Sequence, residues 1–223
     1  MRMKICLLST DILSRSDKDL KQALTSLPFG EQDKEYLLKK KNLVAAYESL
    51  GARIALMNLC GGYDFGTLET TENGKPYFSK ADAPFFSLSH TKGLAAAAIC
   101  DNSDGLIGID VEIINTDRDL SRIANRFFDP DELLRYESHT TPESFYSIWT
   151  EKEARVKLFG KSLSSELSEK GKTKKNLFFY KYKVKFAQNY AILCIASEQE
   201  QKEINFINSE NFDIYELQDQ TRS

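Results

Sequence analysis

Residues 107–113 alternate without a break: Ile107, Ile109, Val111 and Ile113 fall on one side, Gly108, Asp110 and Glu112 on the other. Period two belongs to a strand. It places both carboxylates on one face, about 7 Å apart by strand rise. Two such oxygens suit a magnesium ion, a hard cation that takes carboxylate, water and phosphate ligands. The plainer reading of the segment is a solvated strand face with ordinary acidic residues. Gly108 leaves room beside the carboxylates.

The chain has 223 residues, enough for one large domain or two small ones with a sizeable core. Hydrophobic content of 41% and charged content of 28% are those of a globular protein. A net charge of −3 excludes a molecule that binds nucleic acid through its overall field. Cys6, Cys60, Cys100 and Cys194 are scattered, with no C-x-x-C pair and two histidines in all, so neither a zinc site nor a disulfide framework is indicated. Cys6, Cys100 and Cys194 sit in apolar strand-like runs, as buried thiols do. The opening Met-Arg-Met-Lys and the short apolar run after it do not make a signal peptide, and no apolar run approaches a membrane span. A cytoplasmic location is expected.

Residues 4–8 read as a strand. Ser16, with Asp19 three residues on, reads as an N-cap before a helix carrying Leu20, Ala23, Leu24 and Leu27 and ended by Pro28. A longer helix is expected from Glu31 to Leu50, with Gly51 as its stop, and a strand over 53–59. Residues 61–73 read as loop and Asn73-Gly74 as a turn. Phe85 to Cys100 reads as two strands broken at Lys92-Gly93, and 106–113 as another. Helices are expected over 119–126, 130–138 and 143–159, strands over 177–186, 190–196 and 203–207, and a polar, frayed tail after about residue 208. Helices followed by a strand pair occur twice, with a seam near Asp101–Gly105. The fold class is therefore α+β in two similar halves, residues 1–105 and 106–223.

The helix over 143–159 carries an apolar stripe of Phe145, Ile148, Trp149, Val156 and Phe159. Glu153 and Lys157 lie four apart at its margin, as a helix salt bridge or as a third acidic ligand with a cation for a phosphate oxygen. Gly160-Lys161 then offers free amides and another lysine. Asn73-Gly74-Lys75-Pro76 presents one lysine on a rigid turn. Ser89-His90 is not a nucleophile–base dyad, because strand neighbours point apart; a hydrogen-bonding cradle for phosphate is the better reading. Lys39, Lys40 and Lys41 form the basic cluster of the second helix.

Taken together, Gly74-Lys75-Pro76, Phe86-Ser87-Leu88-Ser89-His90, Gly108-Ile109-Asp110-Val111-Glu112, Arg126-Phe127-Phe128 with Glu132, and Trp149-Thr150-Glu151-Lys152-Glu153-Ala154 with Lys157 and Gly160-Lys161-Ser162-Leu163 resemble the 4′-phosphopantetheinyl transferases. The likeness is to the larger, two-half, monomeric surfactin-synthetase-activating type, and it runs from about Gly74 to Leu163. It implies two pseudo-twofold-related halves packed with the active site at their interface. It implies transfer of the phosphopantetheine arm of coenzyme A to a serine of an apo acyl or peptidyl carrier protein, releasing adenosine 3′,5′-bisphosphate. Asp110, Glu112 and Glu153 would bind Mg2+, with Glu153 the first choice for the base and Glu112 the second. Lys157 would meet the phosphates, and Lys41, Lys75, Ser89, His90, Asp110 and Lys161 would complete the coenzyme A set.

Two departures stand out. Ser162 replaces a family glycine, and lysines replace the family's arginines on the second helix, trading bidentate contacts for point charges. The lysines at 170, 172, 174, 175, 181, 183 and 185 are expected to steer an acidic carrier. Neither nucleic acid nor membrane is an expected partner. Two other readings use the same residues: a magnesium-dependent phosphodiesterase or nucleotide hydrolase acting with water, and a non-catalytic module that binds coenzyme A or a carrier.

Overall fold

The computed structural model describes residues 2–13, 16–61, 65–70, 75–100, 105–160, 176–207 and 211–217. The chain opens with β1 (Arg2–Ser9), in which Met3, Ile5 and Leu7 point to one apolar layer and Cys6 to another. The helix α1 (Asp17–Ser26) starts where expected, with the Ser16 hydroxyl accepting the Asp19 N–H at 3.1 Å.

The next stretch departs from the sequence reading. In place of one helix over 31–50 and a strand over 53–59 there are two helices, α2 (Glu31–Leu38) and α3 (Leu43–Cys60). Asn42 causes the break: its extended backbone and its side-chain oxygen, accepting the Ala45 N–H at 2.9 Å, start a new helix. Gly51 is not a stop. It lies mid-helix, where a Cβ would fall 2.6 Å from Thr10 Cγ2 and 3.2 Å from Ala95 Cβ, so it lets α3 lie close on the sheet. The apolar residues after it keep helical spacing, with Ala52, Ala55, Leu56 and Leu59 all buried.

Within the stretch read as loop, β2 (Leu68–Thr70) pairs with β3 (Pro76–Phe78). The Asn73-Gly74 turn lies outside the described residues. The hairpin of β4 (Phe85–Thr91) and β5 (Leu94–Cys100) follows as expected, then β6 (Ile107–Ile113), α4 (Leu120–Phe127), α5 (Pro130–Ser138) and α6 (Pro142–Phe159). The chain continues through β7 (Phe178–Phe186), β8 (Asn189–Ser197), β9 (Glu203–Ile207) and β10 (Asp213–Glu216). The tail is thus not all frayed: β10 pairs antiparallel with β7, Ile214 opposite Val184.

The molecule is α+β. One sheet has the order β4-β5-β1-β9 and another β10-β7-β8-β6. The succession strand, three helices, hairpin runs from β6 without interruption and from β1 with a 3-10 turn after the strand and the β2–β3 pair inserted before the β4–β5 hairpin. β9 crosses back to pair in parallel with β1. Between the sheets lies an apolar layer of Met3, Ile5, Leu7, Ala96 and Ala98 against Ile107, Ile109, Val111, Leu193 and Ile195. The outer faces are covered by α3 on the first sheet and α6 on the second. All four cysteines are buried free thiols. Among the described residues no helix is long and apolar enough to cross a membrane.

The two sheets meet along the edges β4 and β6 through side chains. Ser87, Ser89 and Thr91 alternate on β4, and their hydroxyls accept the N–H groups of Ile109, Val111 and Ile113 at 3.0, 3.2 and 3.5 Å. The ladder satisfies edge amides that would otherwise be buried without partners. It also fixes the register of the acidic strand against a strand of the other sheet.

Candidate active site

A Cβ on Gly108 would lie 2.0 Å from the Ala154 carbonyl oxygen and 2.6 Å from Leu158 N. Only glycine lets the backbone of α6 rest directly on β6. The room that Gly108 leaves is filled by helix, and this places Asp110 and Glu112 beside Glu153 and Lys157. The face is therefore not a solvated one: Asp110 is 4% exposed. A cavity of about 430 Å³ opens here between α3, β4, β6 and α6. It is lined by Lys75, Ser89, His90, Asp110, Glu112, Glu153 and Lys157, which the sequence singles out, and by Tyr36, Ser49 and Arg53, which it does not.

At its floor the Lys157 ammonium donates to Asp110 Oδ1 and to Ser89 Oγ, both at 2.7 Å. Ser89 in turn donates to Asp110 Oδ1 at 2.9 Å and accepts the Val111 N–H. The other carboxylate oxygen, Asp110 Oδ2, is buried with no hydrogen-bond partner. Thr91 donates to Glu112 Oε2 at 3.2 Å. Burial, then the charge of Asp110, pushes Glu112 up to about 7 against the pull of Thr91 and Lys157. Burial and Asp110 likewise raise Glu153, with Lys157 and Lys152 opposing.

The other end of the cavity is basic. His90 lies 3.8 Å from Glu48, yet burial and then Lys157, Lys40 and Arg53 push it down to about 4, so it is neutral at pH 7. Burial lowers Lys75, whose ammonium donates to the Lys157 carbonyl at 3.3 Å, at the negative end of α6. Arg53 is held in place by Asp33, accepting at 2.7 Å and 2.5 Å, and by Ser49, while Thr70 also donates to Asp33.

This donor set suits a hard divalent cation. One buried carboxylate oxygen lacks a partner, and two neighbouring carboxylates hold protons more tightly because they are buried and, second, because Asp110 crowds them with negative charge. Among the described residues no group of three acidic, imidazole or thiol side chains encloses a metal by itself. Water or ligand oxygens would complete the shell.

Not every expected residue reaches the cavity. Lys41 is exposed in the turn before α3 and does not line it, and Lys161 lies outside the described residues. Glu132 is buried away from it. There it closes a capping box with Asp129 and pairs with the buried Lys152 at 2.6 Å, tying α5 to α6. Of the expected docking lysines, 170–175 lie outside the described residues. Lys181 is buried against Glu151 at 2.6 Å, Lys183 pairs with Glu143, and Lys185 lies 3.6 Å from Asp213. Buried Lys181 cannot steer a partner, whereas the side chains of Lys183 and Lys185 stay 31% and 44% exposed in surface ion pairs. Glu151, raised by burial but lowered more by Arg135 and Lys181, ends at about 2. A wider cleft of about 940 Å³ between α5, α6 and the β7–β8 hairpin contains Arg135, His139 and Tyr190 and none of the acidic set.

The hydroxyl ladder was the missed signal: Ser87-x-Ser89-x-Thr91 is a period-two polar row whose use appears only when β6 lies alongside. Arg53 carried no comparable mark, being one charged residue in an apolar run.

Over 103 residues, 45% of this chain and 42% of the relative, the protein is 39% identical to the 4′-phosphopantetheinyl transferase psf-1 of Bacillus pumilus. It is 37% identical over 95 residues to AcpT of Salmonella typhi, 41% of this chain and 48% of that relative. It is 30% identical over 158 residues to HetI of Nostoc sp., covering 66% of this chain and 64% of that relative. Both AcpT and HetI carry the same transferase name. The chain thus spans less than half the length of the psf-1 and AcpT relatives in the matched stretches. Residues 106–205, which hold the acidic strand and the Glu153–Lys157 helix, match the model of the 4′-phosphopantetheinyl transferase superfamily.

Proposed function

We propose that this protein transfers the 4′-phosphopantetheine arm of coenzyme A to a serine of an apo acyl or peptidyl carrier protein and releases adenosine 3′,5′-bisphosphate. One observation carries the reading: Asp110, Ser89 and Lys157, from three separated segments, meet within 2.9 Å of one another on the floor of a cavity with an acidic and a basic end. Such polarity suits a diphosphate ester accompanied by a divalent cation. Two pseudo-twofold-related halves, residues 1–105 and 106–223, belong to the same reading, with the recurring element order in support. So do a monomeric state and a cytoplasmic location, the latter favoured by four buried free thiols.

The serine hydroxyl attacks the β-phosphorus. A new P–O bond forms to serine as the bond to the bridging oxygen breaks, and the bisphosphate takes the electron pair. Magnesium held by Asp110, Glu112 and Glu153 would neutralise and polarise the diphosphate. Lys75 and Lys157 offset charge on the non-bridging oxygens, where phosphoryl transfer most needs stabilisation. Glu153 accepts the serine proton, a task favoured by its raised proton affinity; Glu112 is the second choice.

The test is mass spectrometry of purified apo carrier proteins incubated with this protein, coenzyme A and Mg2+. A gain of the phosphopantetheine mass is expected, and Glu153→Gln should slow it by about 10²–10⁴-fold. Release of cleaved coenzyme A with no modified carrier would overturn the assignment in favour of a hydrolase.

A further inference from the structure

The Ser89 hydroxyl has one proton to donate and two lone pairs to accept with. All three are in use: it donates to Asp110 Oδ1 and accepts from Lys157 Nζ and Val111 N. It has no capacity left for a ligand. What it does is hold the Lys157 ammonium on Asp110, from β4 alongside the carboxylate's own strand. Lys157 in turn commits two of its three N–H groups to that pair. The side chain of Asp110 is 5% exposed and that of Lys157 31%, so the cation can leave toward the cavity while the anion cannot.

We infer that Lys157, seated by Ser89, is an internal counter-ion that occupies Asp110 until a diphosphate draws it away, so that divalent cation and coenzyme A bind together and neither binds well alone. The inference rests on the coenzyme A reading of this cavity. A cation already on a carboxylate weakens that carboxylate's hold on a second cation. A diphosphate offers the ammonium another anion within reach of its flexible stem. Release of Asp110 Oδ1 then adds a second oxygen to the unpartnered Oδ2, and the two ligands gain affinity from each other by the same factor. Ser89 is thereby a positioning residue: it acts on Asp110 and Lys157, not on the substrate.

The experiment is Mn2+ titration of the full chain, followed by electron paramagnetic resonance, with and without coenzyme A and with no carrier protein present. Wild type should bind Mn2+ weakly alone and about 10-fold or more tightly with coenzyme A, within the ordinary range of coupling between sites. Lys157→Met and Lys157→Gln, which remove the charge in two shapes, should each bind Mn2+ alone about 10-fold more tightly than wild type, with most of the coenzyme A effect gone. Lys157→Arg keeps the charge and should keep the wild-type pattern. If wild type shows the coenzyme A effect but neither neutral variant binds free Mn2+ more tightly, the counter-ion role is overturned while the site stands. If wild-type Mn2+ affinity is indifferent to coenzyme A, the coupling is overturned. If no form binds Mn2+ or coenzyme A at all, the reading of the cavity falls, and the counter-ion role with it.

Discussion

At the scale of single residues, the cavity sets neighbouring groups against their solution behaviour. His90 is the clearest case. Burial and three nearby cations hold it neutral, its pKa falling from 6.5 to about 4. The sign of the linkage follows. Between those values the unfolded chain binds the proton and the folded one does not, so stability rises with pH across that window. The contribution is complete above about 6.5 and is lost as pH falls toward about 4. Urea midpoints measured from pH 4 to 7 should show this slope, and His90→Gln should flatten it. A variant with the wild-type slope would mean that a group other than His90 sets the pH response. Glu112 and Glu153 slope the other way: raised carboxylates stabilise the fold at low pH and give up that contribution as pH climbs through their folded values.

At the scale of elements, contact between α6 and β6 decides the geometry of the acidic set. Gly108→Ala would put a methyl group into the backbone of α6, and neither side is a flexible side chain that can step aside. The expected cost is about 3 kcal/mol or more, at the upper end for overpacking, with the proposed transfer activity lost alongside; denaturant unfolding and the carrier assay check both. An alanine variant of wild-type stability would show that α6 can lift off without harm. Elements also show where the sequence was readable. The alternation of 107–113 and the Ser16 cap were legible because their signals are local. The break at Asn42 was not read, since apolar spacing runs across it, and Gly51 looked like a stop because a glycine that permits close packing and one that ends a helix are the same letter.

For the whole molecule, the joint between the sheets is a row of three hydroxyls. Removing one leaves a buried amide of β6 without its partner, a loss of about 1–3 kcal/mol each. Ser87→Ala and Ser89→Ala should cost that much, and Thr91→Val less, because its bond to Ile113 N is the longest at 3.5 Å. Combined, they should depart from additivity, since they share one strand edge. Equal and additive losses in urea unfolding would mean that the three bonds do not act as a unit. The sequence by itself determined the chemistry of this protein: which carboxylates lie on one strand face, which lysine follows Glu153 by one helical turn, and the succession of strands and helices, all set by spacing along the backbone. Only the tertiary structure decided that the face is covered, that Lys157 rests on Asp110, that Arg53 lines the cavity and that Lys181 is buried. Those facts depend on which surfaces meet, and contact between distant segments leaves no periodic trace in the chain.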